Sequence, residues 1–324
     1  MRVGIFIIAA LFTQACVTGM QRPHSGKSAP EPELSDSYYR PSTASEPVPM
    51  KDDERSHDLP EPKKKVIVFQ FWNDTPINDE ALGSFAADLV RKSLFDSGEV
   101  LIPSESTEMP ETKNFVSGQK VKVSQLIREG RKQGASVVVI GRIAKAQYRH
   151  KGEDVGILRQ SKSSVLVELE MKLFDVAAGR EIFASTHTGQ SQSKSFIALE
   201  SSPTTVEFKS ELAKEALKEA VAAMPQEILA NTVKLQWEGK VVKIVGQKVF
   251  VNSGKASGIM PGDILRVMTK GEDLYEPGSD AFIGRSEGKL KGTLEVREYV
   301  GDDGAVATVH SGGQFQEGDT VRLY

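Results

Sequence analysis

Cys16 is the residue whose type and position are best suited to a chemical reaction, because it is the chain's single cysteine and follows an apolar run. The run extends from Val3 to Phe12, with Arg2 before it and small or polar residues after it, which is the layout of a secretory signal peptide. Its length of about ten residues is roughly half of what a bilayer-spanning helix needs. We therefore predict that residues 1–16 form a signal peptide and that the protein is exported to the periplasm.

Cys16 itself is predicted to be a lipidation site. In the stretch LFTQAC, Ala15 is the small residue that a bacterial lipobox requires before its cysteine, whereas Thr13 stands where leucine is usual. A lipid on Cys16 would anchor the protein to a membrane, which we expect to be the outer membrane. The alternatives are an ordinary signal peptide cleaved nearby and an uncleaved anchor. With one cysteine, the chain forms no internal disulfide and has no cysteine-based zinc or redox site.

The remaining residues that could do chemistry are scattered. The five histidines stand at positions 24, 57, 150, 187 and 310, and no two have the i, i+4 spacing of metal ligands on a helix. The stretch SGKAS at 253–257 is similar to the end of a phosphate-binding loop, but Val249 occupies the place of the loop's first glycine. No Gly-X-Ser-X-Gly elbow is present. We predict no catalytic residue, no metal, no cofactor and no enzyme activity, and we interpret His187, at the end of a predicted strand, as a hydrogen-bonded edge residue and not as a base.

Composition favours a two-domain exported protein with a tether. The 324 residues are 39% hydrophobic and 26% charged, which is ordinary globular composition, and a net charge of −3 argues against binding nucleic acid. Residues 17–62 hold eight of the chain's fifteen prolines and almost no aliphatic periodicity. Such a segment buries too little apolar surface to offset its ordering entropy, so we predict a disordered linker.

The next 170 or so residues show alternating strand and helix patterns. Val66 to Phe71 is a short apolar run typical of a buried strand, and Thr75 with Pro76 is predicted to begin a helix. A second helix is predicted with Ser124 as its cap and Gly134 as its end, followed by the buried strand ASVVVIGRI.

An amphipathic hairpin and a long helix complete this region. Residues 161–188 alternate apolar and polar side chains around the turn DVAAGRE, and residues 207–232 form an apolar helical face that Pro225 is predicted to kink. The order of elements predicts a mixed-sheet α/β sandwich.

Four stretches of this region resemble the amino-terminal superfamily of the CsgG and TolB proteins. They are VIVFQFWND, FAADLVRKSLF, VVVIGRI and the hairpin VELEMKLFDVAAGREIFAST. The resemblance spans residues 63–232 and implies the α/β fold of that superfamily. Because CsgG-type proteins form outer-membrane secretion pores, it also makes a pore component or accessory an alternative function.

The last region predicts a small all-β barrel. Short strand-like runs are separated by glycine-rich turns, and one phrase occurs twice, as PGDILRV and EGDTVRL. Gly262 suits the position of a type II turn that requires positive φ. Asp263 and Asp319 then follow as turn residues, an interpretation we prefer to a calcium or catalytic role.

Residues 238–324 resemble the carboxy-terminal SH3-like domain of the flagellar assembly protein T family, with GKVVKIVGQKVFVNSGKASGIMPGD as the closest stretch. In that family, TolB-type domains precede such a barrel, as the α/β region does here. The family's separate amino-terminal domain is replaced in this chain by the predicted linker. The resemblance implies an SH3-like barrel and a role in flagellar assembly.

These features together predict a non-enzymatic envelope lipoprotein that assembles with other envelope or flagellar proteins, such as a basal-body ring, and forms a homo-oligomer or ring. Besides the pore, a peptidoglycan or glycan-binding module is an alternative, because Trp72 in QFWND and Trp237 could stack on sugars. A cell-wall hydrolase would need an acid and a base in one cleft, and the sequence shows no such pair.

Overall fold

The computed structural model describes residues 61–77, 79–103, 109–118, 120–155, 158–197, 205–278 and 282–324, and it describes residues 152–155, 158–161 and 194–197 by their backbone alone. The predicted signal peptide, Cys16 and the linker up to residue 60 lie outside the described residues. Among the helices that are described, none has the length and apolarity needed to cross a bilayer.

The α/β part, residues 61–235, contains most of the helical structure. Its elements are β1 Val66–Val68, β2 Trp72–Asn73, α1 Ala81–Ser97, a 3₁₀ turn Thr112–Phe115, β3 Val116–Ser117, β4 Lys120–Val121, α2 Val123–Lys132, β5 Val137–Val155, β6 Leu158–Asp175, β7 Arg180–Ile197, α3 Val206–Val221 and α4 Met224–Thr232.

The barrel, residues 236–324, contains the remaining strands. They are β8 Gly239–Val245, β9 Lys248–Val251, β10 Ile264–Met268, β11 Asp273–Tyr275, β12 Phe282–Arg285, β13 Leu290–Val300, β14 Gly304–Gly312 and β15 Thr320–Leu323.

The α/β part is built around a mixed sheet with the strand order β1-β5-β6-β7, in which β2 also pairs with β5. Strands β1 and β2 run parallel to β5, whereas β6 and β7 form antiparallel ladders. The predicted hairpin turn is confirmed at Asp175, whose side-chain oxygen accepts hydrogen bonds from the backbone nitrogens of Ala177 and Ala178 at 2.9 and 3.1 Å.

Helices cover both faces of this sheet. Val137 and Val139 of β5 pack in a core with α1, α3 and α4, whereas Val138 and Ile140 pack in a second core with α2. Alternate residues of a strand point to opposite faces, so the continuous apolar run requires cover on both sides. The prediction of an α/β region is confirmed at this level of detail.

The predicted start of α1 is wrong. Thr75 does not cap the helix but donates its hydroxyl to the Asn73 side chain at 2.7 Å, and the Asn73 amide donates to the carbonyls of Ile77 and Asp79, both at 2.9 Å. The loop is therefore organised by Asn73, and α1 begins at Ala81, whose nitrogen donates to Asp79 Oδ1 at 2.9 Å.

Two further helix predictions need correction. The predicted kinked helix 207–232 is two helices, because Pro225 lies in the first turn of α4, where its missing N–H costs no hydrogen bond. Helix α2 begins at Val123 without a side-chain cap, so Ser124 is not its cap, although Gly134 follows its end with φ +70° as expected of a terminating glycine.

The predicted small barrel is present as a closed barrel with the strand order β10-β13-β14-β9-β8-β15. Its interior is filled by aliphatic side chains and by Trp237, which is 4% exposed. The sequence did not predict the additional hairpin β11-β12, which pairs outside the barrel.

The repeated phrase forms the same turn twice, and both aspartates are turn residues. The nitrogen of Met260 donates to Asp263 Oδ2 at 2.7 Å, and the nitrogen of Gln316 donates to Asp319 Oδ2, also at 2.7 Å. The preferred interpretation of Asp263 and Asp319 is therefore confirmed.

Each turn is also fastened to a neighbouring strand in the same way. Gly262 has φ +97° and donates to the carbonyl of Val296, and Gly318 has φ +89° and donates to the carbonyl of Val241, both at 2.8 Å. The two glycines supply a backbone conformation that other residues rarely adopt.

Helix α3 lies so close to β7 that Gly189 leaves no room for a side chain. A Cβ added there would lie 2.0 Å from the carbonyl oxygen of Ala216 and 2.7 Å from the nitrogen of Ala220. We expect Gly189→Ala to lower the free energy of unfolding by about 2 kcal/mol or more, because the helix must move away from the sheet.

Urea denaturation followed by circular dichroism measures this effect. Gly313→Ala is the control, because a Cβ there meets nothing within 4 Å and the backbone needs no positive φ. The control should stay within about 0.5 kcal/mol of wild type. Equal stability of the two variants would contradict the close packing of α3 on β7.

Candidate functional site

The cluster most similar to a catalytic site is formed by Ser185, His187 and Glu227. Ser185 and His187 lie two residues apart on β7 and so share a face of the sheet, and α4 brings Glu227 to them. His187 Nε2 lies 3.0 Å from Ser185 Oγ and 2.9 Å from Glu227 Oε2, and Ser185 Oγ donates to the same Oε2 at 2.8 Å.

This cluster does not have the geometry of a catalytic triad. In a triad, the nucleophile and the carboxylate bind opposite nitrogens of the imidazole. Here Ser185 and Glu227 both contact Nε2 of His187, so the carboxylate does not hold the ring for proton transfer from the serine. His187 is hydrogen-bonded and belongs to the edge strand β7, as interpreted, but it lies inside Arg180–Ile197 and not at the end of a strand. The cluster fastens β7 to α4.

The other described histidines form no second cluster. His150 Nδ1 lies 2.9 Å from the hydroxyl of the buried Ser163, and His310 is an exposed residue of β14. Within the described residues, no group of three His, Cys, Asp or Glu side chains is placed to hold a metal ion.

The SGKAS loop is occupied by a carboxylate of the chain itself. Asp303 Oδ1 accepts hydrogen bonds from the backbone nitrogens of Gly254 at 2.9 Å and Ser257 at 2.8 Å, and its other oxygen accepts from the Ser257 hydroxyl. These N–H groups are the ones that a phosphate-binding loop would offer to its ligand. The loop is thus a structural element that Asp303 holds closed.

A cleft of about 330 Å³ lies beside the half-buried Trp72. The guanidinium of Arg142 lies 6.0 Å from the centroid of the Trp72 ring and binds both oxygens of Glu170 at 2.9 Å. The hydrogen bond to Glu170 is the main reason why the pKa of Arg142 is raised. Trp237 is buried in the barrel, so of the two tryptophans only Trp72 is placed to contact a ligand.

A second cleft, of about 270 Å³, lies between the α/β part and the barrel. We call it the basic cleft, because Arg131 of α2, Lys240 of β8 and Arg285 of β12 line it. The Lys240 ammonium donates to the backbone carbonyl of Arg131 at 3.1 Å, and Arg131 Nη1 binds Asp273 at 2.7 Å. Burial lowers the pKa of Lys240, and the charges of Arg285 and Arg131 lower it further.

The sheet has one open edge in the described part of the chain. The edge at β1 is covered, because Leu101 exchanges hydrogen bonds with Val66 and Lys64 at 2.9 and 3.0 Å. Strand β7 pairs with β6 over the whole range Arg180–Ile197, and its other side has no strand partner among the described residues. One outward N–H is capped, since Gln190 donates to Glu219 Oε2 of α3 at 2.7 Å.

Sequence patterns reveal neither the basic cleft nor the full length of the strands β5, β6 and β7. Arg131 and Lys240 are 109 residues apart in the chain, so no local pattern connects them. Strands β5 and β6 extend beyond the predicted runs into the polar segment 144–163, which carries no apolar alternation that would reveal a strand.

No protein-family model matches this sequence, and no curated protein matches it significantly. Among solved structures, lipoprotein GNA1162 from Neisseria meningitidis aligns with 13% identity over 52% of this chain and 99% of its own, with a TM-score of 0.27. The PelC dodecamer from Paraburkholderia phytofirmans aligns with 18% identity over 52% and 89%, with a TM-score of 0.26.

A minor lipoprotein from Acinetobacter baumannii aligns with 13% identity over 53% of this chain and 95% of its own, again with a TM-score of 0.26. Because these TM-scores lie below 0.5, we base no assignment of fold or function on the three likenesses.

Asp303 offers a direct test of the closed SGKAS loop. We expect Asp303→Asn to lower the free energy of unfolding by about 2–3 kcal/mol, because the hydrogen bonds to the loop lose the negative charge that strengthens them. The backbone N–H groups of Gly254 and Ser257 have no other acceptor among the described residues. Thermal and urea denaturation of the full chain measure the loss.

The neighbouring Asp302 is exposed and provides the control. Asp302→Asn should leave stability within about 0.5 kcal/mol of wild type. If Asp303→Asn also left the stability unchanged, the carboxylate of Asp303 would not be the group that holds the loop.

Proposed function

We propose that this protein is a non-enzymatic, envelope-associated lipoprotein that acts as an assembly component, held to the outer membrane by a lipid on Cys16. The proposal rests chiefly on one observation, the open edge of β7 in a sheet whose other edge is covered. Such an edge offers unpaired backbone N–H and C=O groups to an extended segment of a partner protein.

The chemistry of β7 supports a specific contact with a partner rather than aggregation. Its central residues, STHTGQSQ at 185–192, are polar, so the edge does not present the apolar surface on which chains aggregate. Because Gln190 directs its N–H to Glu219, away from β6, the alternation of an antiparallel ladder directs the N–H groups of Thr188 and Gln192 outward as well.

The predicted linker supports the proposal that the folded body is tethered to the membrane. A flexible chain of about 45 residues has a root-mean-square reach of roughly 40 Å. A body attached in this way could contact partners some distance from the membrane surface while remaining anchored through Cys16.

The candidate catalytic groups also favour a role in binding. The Ser185 cluster has its carboxylate on the wrong nitrogen of His187, and the SGKAS loop is filled by Asp303. Neither arrangement supplies a nucleophile or a phosphate site, and this supports a non-enzymatic function.

The resemblance to the flagellar assembly protein T and CsgG/TolB families suggests the finer proposal. A TolB-type domain followed by an SH3-like barrel is the arrangement expected of a flagellar basal-body ring component, so we propose that assembly or a similar envelope assembly as the site of action. The partners would be other ring or envelope proteins and further copies of this chain.

Glycan binding is a second candidate, favoured by the cleft beside Trp72. The indole, Arg142 and Glu170 line it together and could offer stacking and hydrogen bonds to a sugar. Binding of peptidoglycan fragments that is lost in Trp72→Ala but retained in Thr188→Pro would favour this candidate over assembly.

The lipid anchor is tested by metabolic labelling with an alkyne fatty acid. We expect wild type to carry the label and to partition with outer membranes, whereas Cys16→Ser should carry none, because the thiol that accepts the lipid is missing. Unlabelled wild type would show that the protein has no lipid anchor.

The edge is tested by Thr188→Pro. Proline removes the N–H that points away from β6, whereas the hydrogen bonds between β6 and β7 keep all their donors. In intact cells we expect cross-links to envelope-ring components to fall about tenfold, with the unfolding midpoint nearly unchanged. Thr188→Val keeps the N–H and is the matched control. If neither variant changed the cross-links, β7 would not be the contact. Cross-links between copies of this chain alone, together with ion conductance in lipid bilayers, would indicate the CsgG-type pore.

A further inference from the structure

We propose that the basic cleft binds an oxyanion group, either a carboxylate or a phosphate, through Arg131, Lys240 and Arg285. The inference is independent of the proposed assembly function, because the cleft lies between α2 and the barrel and uses none of the residues of the β7 edge.

Arg131 has two side-chain nitrogens that meet no acceptor among the described residues. Its Nη1 donates to both oxygens of Asp273 at 2.7 and 2.9 Å. Its Nε and Nη2 are buried and meet no acceptor among the described residues. Buried donors of a charged group are costly when unpaired, and an oxyanion is the acceptor that a guanidinium binds best.

Lys240 is isolated from the carboxylates of the described residues. Its ammonium donates to the carbonyl of Arg131, and no carboxylate of the described residues lies within ion-pair distance. Burial, followed by the charges of Arg285, Arg131 and Lys270, lowers its pKa. A bound anion would remove this repulsion and favour the charged lysine.

Arg285 completes the cationic group. Its Nε donates to the carbonyl of Gly271 at 2.8 Å and lies 3.9 Å from Asp273, the same carboxylate that Arg131 binds. Burial and the charge of Arg131 lower the pKa of Arg285. Arg131 and Arg285 therefore share the single carboxylate of Asp273, and Lys240 is left without one.

The other acidic side chains around the cleft are already engaged. Glu238 offsets part of the repulsion at Lys240, but its carboxylate binds Arg322 at 2.6 Å, and Glu287 binds the same guanidinium at 2.9 Å. Asp175 accepts two backbone hydrogen bonds within its own turn. None of them neutralises Lys240 directly.

The dimensions of the cleft limit the ligand. A volume of about 270 Å³ lies just below the usual range of small-molecule pockets, which begins near 300 Å³. The cleft therefore suits a small organic acid or phosphate, or the charged end of a longer molecule. Two adjacent guanidinium groups and one ammonium favour the planar or tetrahedral oxygen arrays of such ions over chloride.

The experiment titrates the purified full chain with inorganic phosphate and, separately, with acetate, at constant ionic strength set by sodium chloride. We expect at least one of the two to raise the thermal midpoint in a saturable manner, by roughly 3 °C at about ten times the dissociation constant. Saturation by phosphate alone identifies a phosphoryl ligand, and saturation by acetate alone identifies a carboxylate.

Lys240→Met tests the site directly. We expect anion affinity to fall at least tenfold, while the midpoint without added anion stays equal to that of wild type or rises, because an uncompensated buried cation has been removed. Lys243→Met is the matched control, since Lys243 is exposed on the same strand and should leave binding unchanged.

Arg285→Gln serves as the second variant should Lys240→Met not fold, and it should likewise weaken binding at least tenfold. A rise in midpoint that is linear in anion concentration and equal in wild type and the folded variant would be a general salt effect. That result would overturn the proposal.

Discussion

The structure depends on a strand that is buried on both faces. Val137, Val138 and Val139 of β5 are fully inaccessible, so neither face of the strand can remain in contact with water. Helices α1, α3 and α4 cover one face, and α2 with the preceding loop covers the other. The position of α2 follows from this requirement, and it places Arg131 in the last turn of α2 beside the barrel. The basic cleft is thus an indirect result of how the sheet is buried.

One turn forms a close part of the contact between the barrel and the α/β part. Gly179 has φ +71°, and a Cβ there would lie 2.5 Å from the ring of Phe282 on β12. Glycine is needed both for the turn between β6 and β7 and for the approach of this ring. The ion pair of Arg131 with Asp273 of β11 joins the same surfaces. The hairpin β11-β12 is therefore one of the connections between the two parts. Its partner Gly179 belongs to the turn DVAAGRE, which the sequence predicted as part of a hairpin.

Sequence patterns predicted those features that local chemistry determines. The apolar run before Phe71, the turn at Asp175 and the two Gly-Asp turns of the barrel each depend on residues within a few positions of one another. The predicted start of α1 was wrong because the Asn73 side chain binds the backbone carbonyls of Ile77 and Asp79 and so holds this segment as a loop. The Thr75-Pro76 pair is typical of a helix start and gives no sign of this loop. The basic cleft could not be predicted from the sequence, because its three cations come from distant parts of the chain and only the fold brings them together. The family resemblances and the lipidation of Cys16 remain predictions.

The two edges of the sheet differ, and this difference restricts the symmetry of any assembly built on strand pairing. Leu101 covers the β1 side, so among the described strands of this sheet a second copy can pair with β7 only through its own β7. Two identical antiparallel edges related by a two-fold axis form a closed pair and leave no further open edge in the described part of this sheet for a third subunit. A ring of many subunits would consequently need a second, head-to-tail surface elsewhere on the molecule. Strand pairing at β7 can then supply either a dimer contact or a contact to a different protein, but not the repeating contact of the ring itself.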